Sequence, residues 1–368
     1  MDIKEYLGKM VKLDASDVYL TVGFPPAYRV QGKATPVSED ALTPDDTEKL
    51  AFSIMSEKQK TTFLKEKEMN LAITYPSLGR FRMNILYQRN SISIVIRQIK
   101  HIIKTIDEME LPPILKNIVM TKRGLVLVVG GTGSGKSTTL AAMIDHRNSN
   151  SPDHIITIED PIEYVHRHKM SVVTQREVGI DTHSFANALK NTFRQAPDVI
   201  LVGEIRDTET MDATISFAET GHLCLGTLHA NNANQAIERI INFFPSERHD
   251  QIYLLLSLNL RSIISQRLIP TIDEKRVAAF EILLDTPRVK DLMFKGEIET
   301  LKEVMAKGSQ EGMHTFDQAI FNLFKSKVIS YENALAHADS TNDLRLRIKV
   351  EKLEPGEKRD KPSFNIRE

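Results

Sequence analysis

Over the first hundred residues apolar and polar side chains alternate in short runs: Asp17 to Thr21, Ala27 to Val30, Leu71 to Tyr75, Phe81 to Tyr87 and Ser91 to Ile99. A period of two predicts strands buried on one face, and Gly23-Phe-Pro-Pro26 and Ser77-Leu-Gly79 supply turn residues between them. Two segments break that period. Thr43-Pro-Asp-Asp46 offers a cap, a first-turn proline and an acid at the third position, and Ser56-Glu-Lys-Gln59 repeats the capping-box spacing before Phe63 and Leu64. Two helices are expected there, inside a small α+β domain.

From Leu125 the texture changes. Leu125 to Val129, Ile155 to Ile158, Val199 to Val202 and Leu223 to Leu228 are short runs of Val, Ile and Leu, the composition of buried parallel strands. Helical patterns fit between them at Lys136 to Arg147, Ser184 to Gln195 and Thr208 to Thr220, the last stopped by Gly221. The alternation predicts a doubly wound α/β core. Beyond it, the pattern predicts one long amphipathic helix over Ser246 to Leu268, a strand over Val277 to Leu284 and further helices to about Ala338. The tail from Glu351 mixes charges with two prolines and is expected to be mobile. No internal repeat is visible.

Composition narrows the class. The 368 residues are 41% hydrophobic and 26% charged, which excludes disordered, fibrous and membrane-embedded proteins. A formal charge of -1 argues against a polyanion-coating protein, and no nucleic acid is expected as partner. The single cysteine, Cys224, permits neither an internal disulfide nor a four-cysteine zinc site, and within His222-Leu-Cys-Leu-Gly226 it reads as a small buried hydrophobe. The start, MDIKEYLGKM, lacks the basic and then apolar order of a signal peptide, and no segment approaches the roughly 20 apolar residues of a membrane span. A cytoplasmic protein without direct membrane insertion is expected, reaching a membrane only through a partner.

The strongest chemical signal is Gly130-Gly131-Thr132-Gly133-Ser134-Gly135-Lys136-Ser137, followed by Thr138, set between an apolar strand and a helix-forming run. Glycines let backbone amides turn inward around phosphates, Lys136 supplies a point charge, Ser137 offers its hydroxyl to Mg²⁺, and the helix N-terminus adds its dipole. ATP and Mg²⁺ are the expected ligands. Such a site also needs a carboxylate on the metal and a group that activates water. Asp198-Val-Ile-Leu-Val-Gly-Glu204 ends a strand in one acid, so Glu204 is assigned to the metal. Ile158-Glu-Asp-Pro-Ile-Glu163 supplies three acids around Pro161, and Glu163 is assigned as the base. The alternative makes Glu204 the base and puts Glu159 or Asp160 on the metal. His222 and His229 flank the strand Leu223 to Leu228, with His229 at the carboxyl end the better candidate for phosphate contact. Arg80, Arg82 and Arg97 read either as solvated charges or as a finger reaching a neighbouring subunit's γ-phosphate.

The segments VGGTGSGKSTTLAAMID, HIITIEDPIEYVH, QAPDVILVGEIRD and ETGHLCLGTLHANNA resemble the Walker A, Asp, Walker B and His boxes of the secretion ATPase superfamily. ASDVYLTVGFPPAYRVQG and GRFRMN are similar, more narrowly, to type IV pilus retraction ATPases, from about residue 15 to about 345. AETGHLCLGTLHANNANQAIERIINFFPSERHDQ, SLNLRSIISQRL and ADSTNDLRLRIKVE look like the accessory branch of that group. Where the main motor carries an AIRNLIRE-like segment after a Thr-Pro pair, Thr286-Pro287 here is followed by RVKDLMFKGE.

The resemblance implies a PAS-like domain over 1–100, a linker over 101–124, a RecA-like ATPase domain with C-terminal helices over 125–345 and a charged tail over 346–368. It further implies a homo-hexamer acting with the main retraction ATPase and a platform protein at the inner-membrane base of the pilus machine. By motif it carries Lys136 and Ser137 to phosphate and magnesium, Glu163 to the general base, Glu204 to Walker B, Arg82 and Arg97 to subunit bridging, and His222 and His229 to the His box. Competing readings are a pilus assembly or type II secretion ATPase, which usually carries a four-cysteine zinc element, a RecA-type nucleic-acid translocase, and a slow regulatory subunit.

Overall fold

The computed structural model describes residues 2–99 and 102–351; the tail beyond Glu351 lies outside the described residues. The chain opens with α1 (Ile3–Lys12), β1 (Asp17–Leu20), β2 (Ala27–Val30), β3 (Lys33–Pro36), α2 (Pro44–Ser53), α3 (Glu57–Glu66), β4 (Glu68–Tyr75), β5 (Gly79–Gln88) and β6 (Ser91–Ile99). Both expected capping boxes form: the Thr43 side chain accepts from Asp46 N–H, and Ser56 does the same for Gln59. The six strands make an antiparallel sheet in the order β3-β2-β1-β6-β5-β4. Alternation along β5 buries Phe81, Met83 and Ile85 in a core shared with Leu7, Met10 and Phe63, and turns Arg80, Arg82 and Asn84 to the other face.

The chain continues through α4 (Ile114–Val119), β7 (Gly124–Val129), α5 (Lys136–Asn150), β8 (His154–Glu159), β9 (Val172–Glu177), α6 (Phe185–Thr192), β10 (Val199–Val202), α7 (Thr208–Glu219), β11 (Leu223–Leu228) and α8 (Ala233–Ile241). It ends with α9 (His249–Asn259), β12 (Leu260–Pro270), β13 (Arg276–Leu284), α10 (Pro287–Phe294), α11 (Leu301–Lys307), α12 (Phe316–Lys325), α13 (Tyr331–His337) and α14 (Thr341–Val350). Packing divides this chain into two units. One joins residues up to Lys104 to Asn148–Ala196, so the parallel β8–β9 pair falls in the same unit as the antiparallel sheet without being part of it. The other holds Thr105–Arg147 and the described residues from Pro197 onward, with strands ordered β13-β12-β7-β11-β10.

In this second unit β7 lies parallel to both β11 and β12, and all six of its residues are buried, as two-sided cover demands. Gly221, with φ +103°, turns the chain between α7 and β11 as expected. Cys224 is fully buried, and burial pushes its thiol well up. The single helix expected over Ser246–Leu268 is corrected by the structure. Helix α9 stops at Asn259, and Leu260 onward is β12, paired in parallel with β7 and antiparallel with β13. Leu260, Ile263, Ile264 and Leu268 stand at i, i+3, i+4 and i+8, the spacing of a helix face, although pairing with β7 and β13 makes the segment a strand. Among the described residues no helix is long and apolar enough to cross a membrane.

Candidate active site

Strand β7 delivers the chain into the glycine loop, and α5 starts at Lys136 directly behind it. The glycines are required by contact as well as by conformation. A Cβ at Gly130 would stand 2.5 Å from the Gln266 carbonyl oxygen and 2.6 Å from Ser134 Oγ; one at Gly135, whose φ is +92°, would stand 2.8 Å from Gln266 Nε2. The loop therefore nests on β12. Gln266 is itself held, accepting a 2.8 Å hydrogen bond from Thr139 Oγ1 in the first turn of α5. Lys136 Nζ donates to the carbonyls of Gly130 at 2.8 Å and Gly131 at 2.9 Å, which fixes its ammonium over the loop. Gly131, Thr132 and Gly133 are exposed, Ser134 is buried, and Ser137 and Thr138 in the first helical turn are half-buried.

Two neighbouring parallel strands bring the next groups to the same unit. After β10, Gly203 carries the chain to Glu204, and the Gly203 carbonyl accepts from Thr227 Oγ1. After β11 comes His229, whose Nε2 lies 3.3 Å from Glu204 Oε1. Arg206 binds the other carboxylate oxygen of Glu204 at 2.5 Å. Burial acts to raise the Glu204 pKa, but the Arg206 hydrogen bond and charge, with His229 and Lys136, outweigh it and hold the carboxyl below its ordinary value. Glu204 is thus an ionised carboxylate electrostatically linked to the loop lysine. An open cleft of about 570 Å³ runs from Gly130 and Gly131 past His229 and Asn231 to the Gln235 and Arg239 face of α8.

The acids around Pro161 sit in the other unit. Glu159, the last residue of β8, accepts from Thr157 Oγ1 at 2.6 Å and Gln175 Nε2 at 3.1 Å. Desolvation dominates there, and the nearby charge of Glu163 adds to it; the neutral donors offset only part, so its carboxyl is pushed up to about 7. Asp160 and Glu163 are exposed. Glu177, at the end of β9 and beside Glu159 in register, is buried, and burial raises its carboxyl although Arg82 stands 3.9 Å away.

Arg82 and Arg97 face one another directly across β5 and β6, in the same unit as Glu163. Arg97 is 70% exposed and donates to Asp17 Oδ1 at 2.8 Å. His222 is placed elsewhere: it stands at the amino end of β11, opposite His229, a strand length of about 20 Å for six residues. Its Nδ1 lies 3.0 Å from the Phe217 carbonyl and 3.1 Å from Thr220 Oγ1, closing the end of α7. The structure thus brings Gly130 to Ser137, Glu204 and His229 together in one unit, and leaves His222 at the far end of a strand. Sequence reading missed Gln266, because the segment that carries it read as helix.

A strand, a glycine loop closed by its own lysine, a following helix, and an ionised acid beside a histidine on adjacent strand ends make this a P-loop ATPase. The chain belongs to the type II/IV secretion system protein family, whose profile matches residues 3–345, and within it to the type IV pilus retraction ATPases, PilU branch. It is 54% identical over 351 residues to the type IV pilus ATPase PilU of Pseudomonas aeruginosa, covering 95% of this chain and 92% of that one. The retraction ATPase PilT of the same organism is 41% identical over 334 residues, 91% of this chain and 97% of that one. A crystal structure of the pilus retraction motor PilT with bound ADP superposes with a TM-score of 0.88 at 41% identity, covering 94% of this chain and 99% of that chain.

Proposed function

We propose that this protein is an ATP-hydrolysing motor of type IV pilus retraction, and that it works as the accessory ATPase beside the main one. The observation that carries the reading is the link between Lys136, seated on the Gly130 and Gly131 carbonyls, and Glu204, held ionised by Arg206 and His229, in a chain matched along nearly its whole length by pilus ATPases.

In this reading the loop amides and Lys136 bind the β- and γ-phosphates, and His229 stands where the γ-phosphate would be sensed. The donor set fits Mg²⁺, a hard cation that takes few protein ligands beside phosphate oxygens: Ser137 and the ionised Glu204 would hold it. Bound there, it would neutralise charge on the phosphates. Glu163, exposed and one turn of chain beyond Glu159, takes the proton of the attacking water. Arg82 and Arg97 serve as bridging cations toward the nucleotide of an adjacent subunit in a homo-hexamer. The ring acts on a platform protein at the inner-membrane base of the pilus machine, from the cytoplasmic side.

The test is steady-state ATP turnover with solution mass on the same sample. Turnover by an assembly of about six subunits supports the motor; a monomer that binds ATP without turnover, with and without the main retraction ATPase, overturns it.

A further inference from the structure

The turn that carries His229 into α8 is held from the rear by residues of β12 and β13. Glu281, in the middle of β13 and 1% exposed, points its Oε1 at the first backbone N–H of α8, that of Ala233, at 2.9 Å. The same oxygen accepts from Ser265 Oγ at 3.3 Å. Ser265 pairs with Glu281 across β12–β13 and with Val129, the last residue before the glycine loop, across β12–β7. Two positions along, Arg267 donates to the Asn231 carbonyl at 3.2 Å, in the middle of the turn.

Arg267 is fixed on its other sides. It donates to the His337 carbonyl at 2.9 Å, pairs with Asp339 at 2.6 Å and lies 3.9 Å over the Phe316 ring. Asp339 in turn receives Lys302 of α11 at 3.2 Å, and its backbone N–H donates to Asp317 of α12 at 2.8 Å. A charged side chain that meets a carbonyl, a carboxylate and an aromatic face at once has little rotational freedom left. The C-terminal helices are thereby joined to the Ala230–Ala233 turn through one guanidinium.

We infer that Glu281 and Arg267 are positioning residues for ATP hydrolysis: together they set the turn that holds the His229 imidazole against Glu204, and Arg267 transmits the state of the C-terminal helices to it. The inference rests on the reading of His229 as the phosphate-sensing group. The part assigned to Glu281 is geometric: Gln at this position keeps the acceptor, whereas Leu removes it and leaves the Ala233 N–H and Ser265 hydroxyl buried without it.

The experiment compares wild type, Glu281→Gln, Glu281→Leu, Arg267→Met and His229→Ala as full chains, each checked for melting temperature. Three quantities are read: ADP affinity, the kcat and KM for ATP, and deuterium uptake by the peptide spanning residues 229–237. Glu281→Leu and Arg267→Met are expected to lower kcat about tenfold, to leave ADP affinity within about twofold, and to speed exchange in that peptide. Glu281→Gln is expected to restore most of both, which a loss of general stability would not predict. Unchanged exchange in Glu281→Leu and Arg267→Met, or an equal loss in Glu281→Gln, overturns the inference. Wild-type turnover by His229→Ala overturns the reading of His229 instead, and the exchange data then decide separately whether Glu281 and Arg267 hold the turn.

Discussion

Glu204 and Glu159 each sit at the carboxyl end of a buried parallel strand, one in each unit, and their surroundings shift their pKa values in opposite directions. Around Glu204 stand Arg206, His229 and Lys136, and its pKa falls despite burial. Around Glu159 stand a threonine hydroxyl, a glutamine amide and the carboxylate of Glu163, and its pKa climbs to about 7. An ionised carboxylate within the field of the loop lysine is ready for a hard divalent cation as it stands, whereas Glu159 would first have to give up the proton its site favours. The contrast supports the proposal that Glu204 meets the metal rather than Glu159; the exposed Asp160 is the other acid of that alternative.

The largest effect is expected where Glu204 loses both a cation and the phosphate its partner. Lys136→Ala should abolish measurable nucleotide binding and turnover, and full hydrolysis by this variant would remove the phosphate site altogether. Next comes the acid beside Glu159. Glu163→Ala should keep ATP binding while turnover falls by about 10² or more, read as kcat at saturating ATP.

Glu159 itself offers a pH test. Its carboxyl rises from an ordinary 4.5 to about 7, so folding costs nothing extra below pH 4.5, loses stability as pH climbs to about 7, and stays at that level above. Glu159→Gln, which keeps an acceptor for Thr157 and Gln175, should therefore melt higher than wild type at pH 8, by a free energy of about 3 kcal/mol, and by under about 1 kcal/mol at pH 5. A gap that does not grow with pH breaks the contrast between the two acids. The smallest effect belongs to Arg97→Ala. Arg97 is mostly exposed and Asp17 keeps Arg29 at 3.5 Å, so thermal stability should fall by no more than about 1 kcal/mol, leaving turnover to report on any bridging role.

The readable parts of this chain were those decided locally. Thr43, Ser56 and Gly221 cap and stop helices through bonds within a few residues, and Gly130 to Ser137 carries its chemistry in its own spacing. Five strands of the antiparallel sheet showed themselves through alternation, whereas β3, exposed along its whole length, carried no such sign. What stayed hidden depends on partners far along the chain. Leu260 to Pro270 is a strand because β7 and β13 flank it, and with it went Ser265, Gln266 and Arg267, the residues that support the glycine loop and the His229 turn. Helix α8 carries a local sign of its own: Asn232 and Gln235 stand at capping spacing, and the Asn232 side chain accepts from Gln235 N–H. The opposite titration of Glu204 and Glu159 has no sequence signature, since both follow an apolar run.

The division of labour between Glu163 and Glu204 is tested most directly by ATP turnover against Mg²⁺ concentration for wild type, Glu163→Ala and Glu204→Ala. Glu163→Ala should show the wild-type Mg²⁺ dependence at a rate lowered by about 10² or more, while Glu204→Ala should need more Mg²⁺ to reach its maximum. A shifted Mg²⁺ dependence in Glu163→Ala, with Glu204→Ala losing rate alone, would contradict the assignment and exchange the two roles.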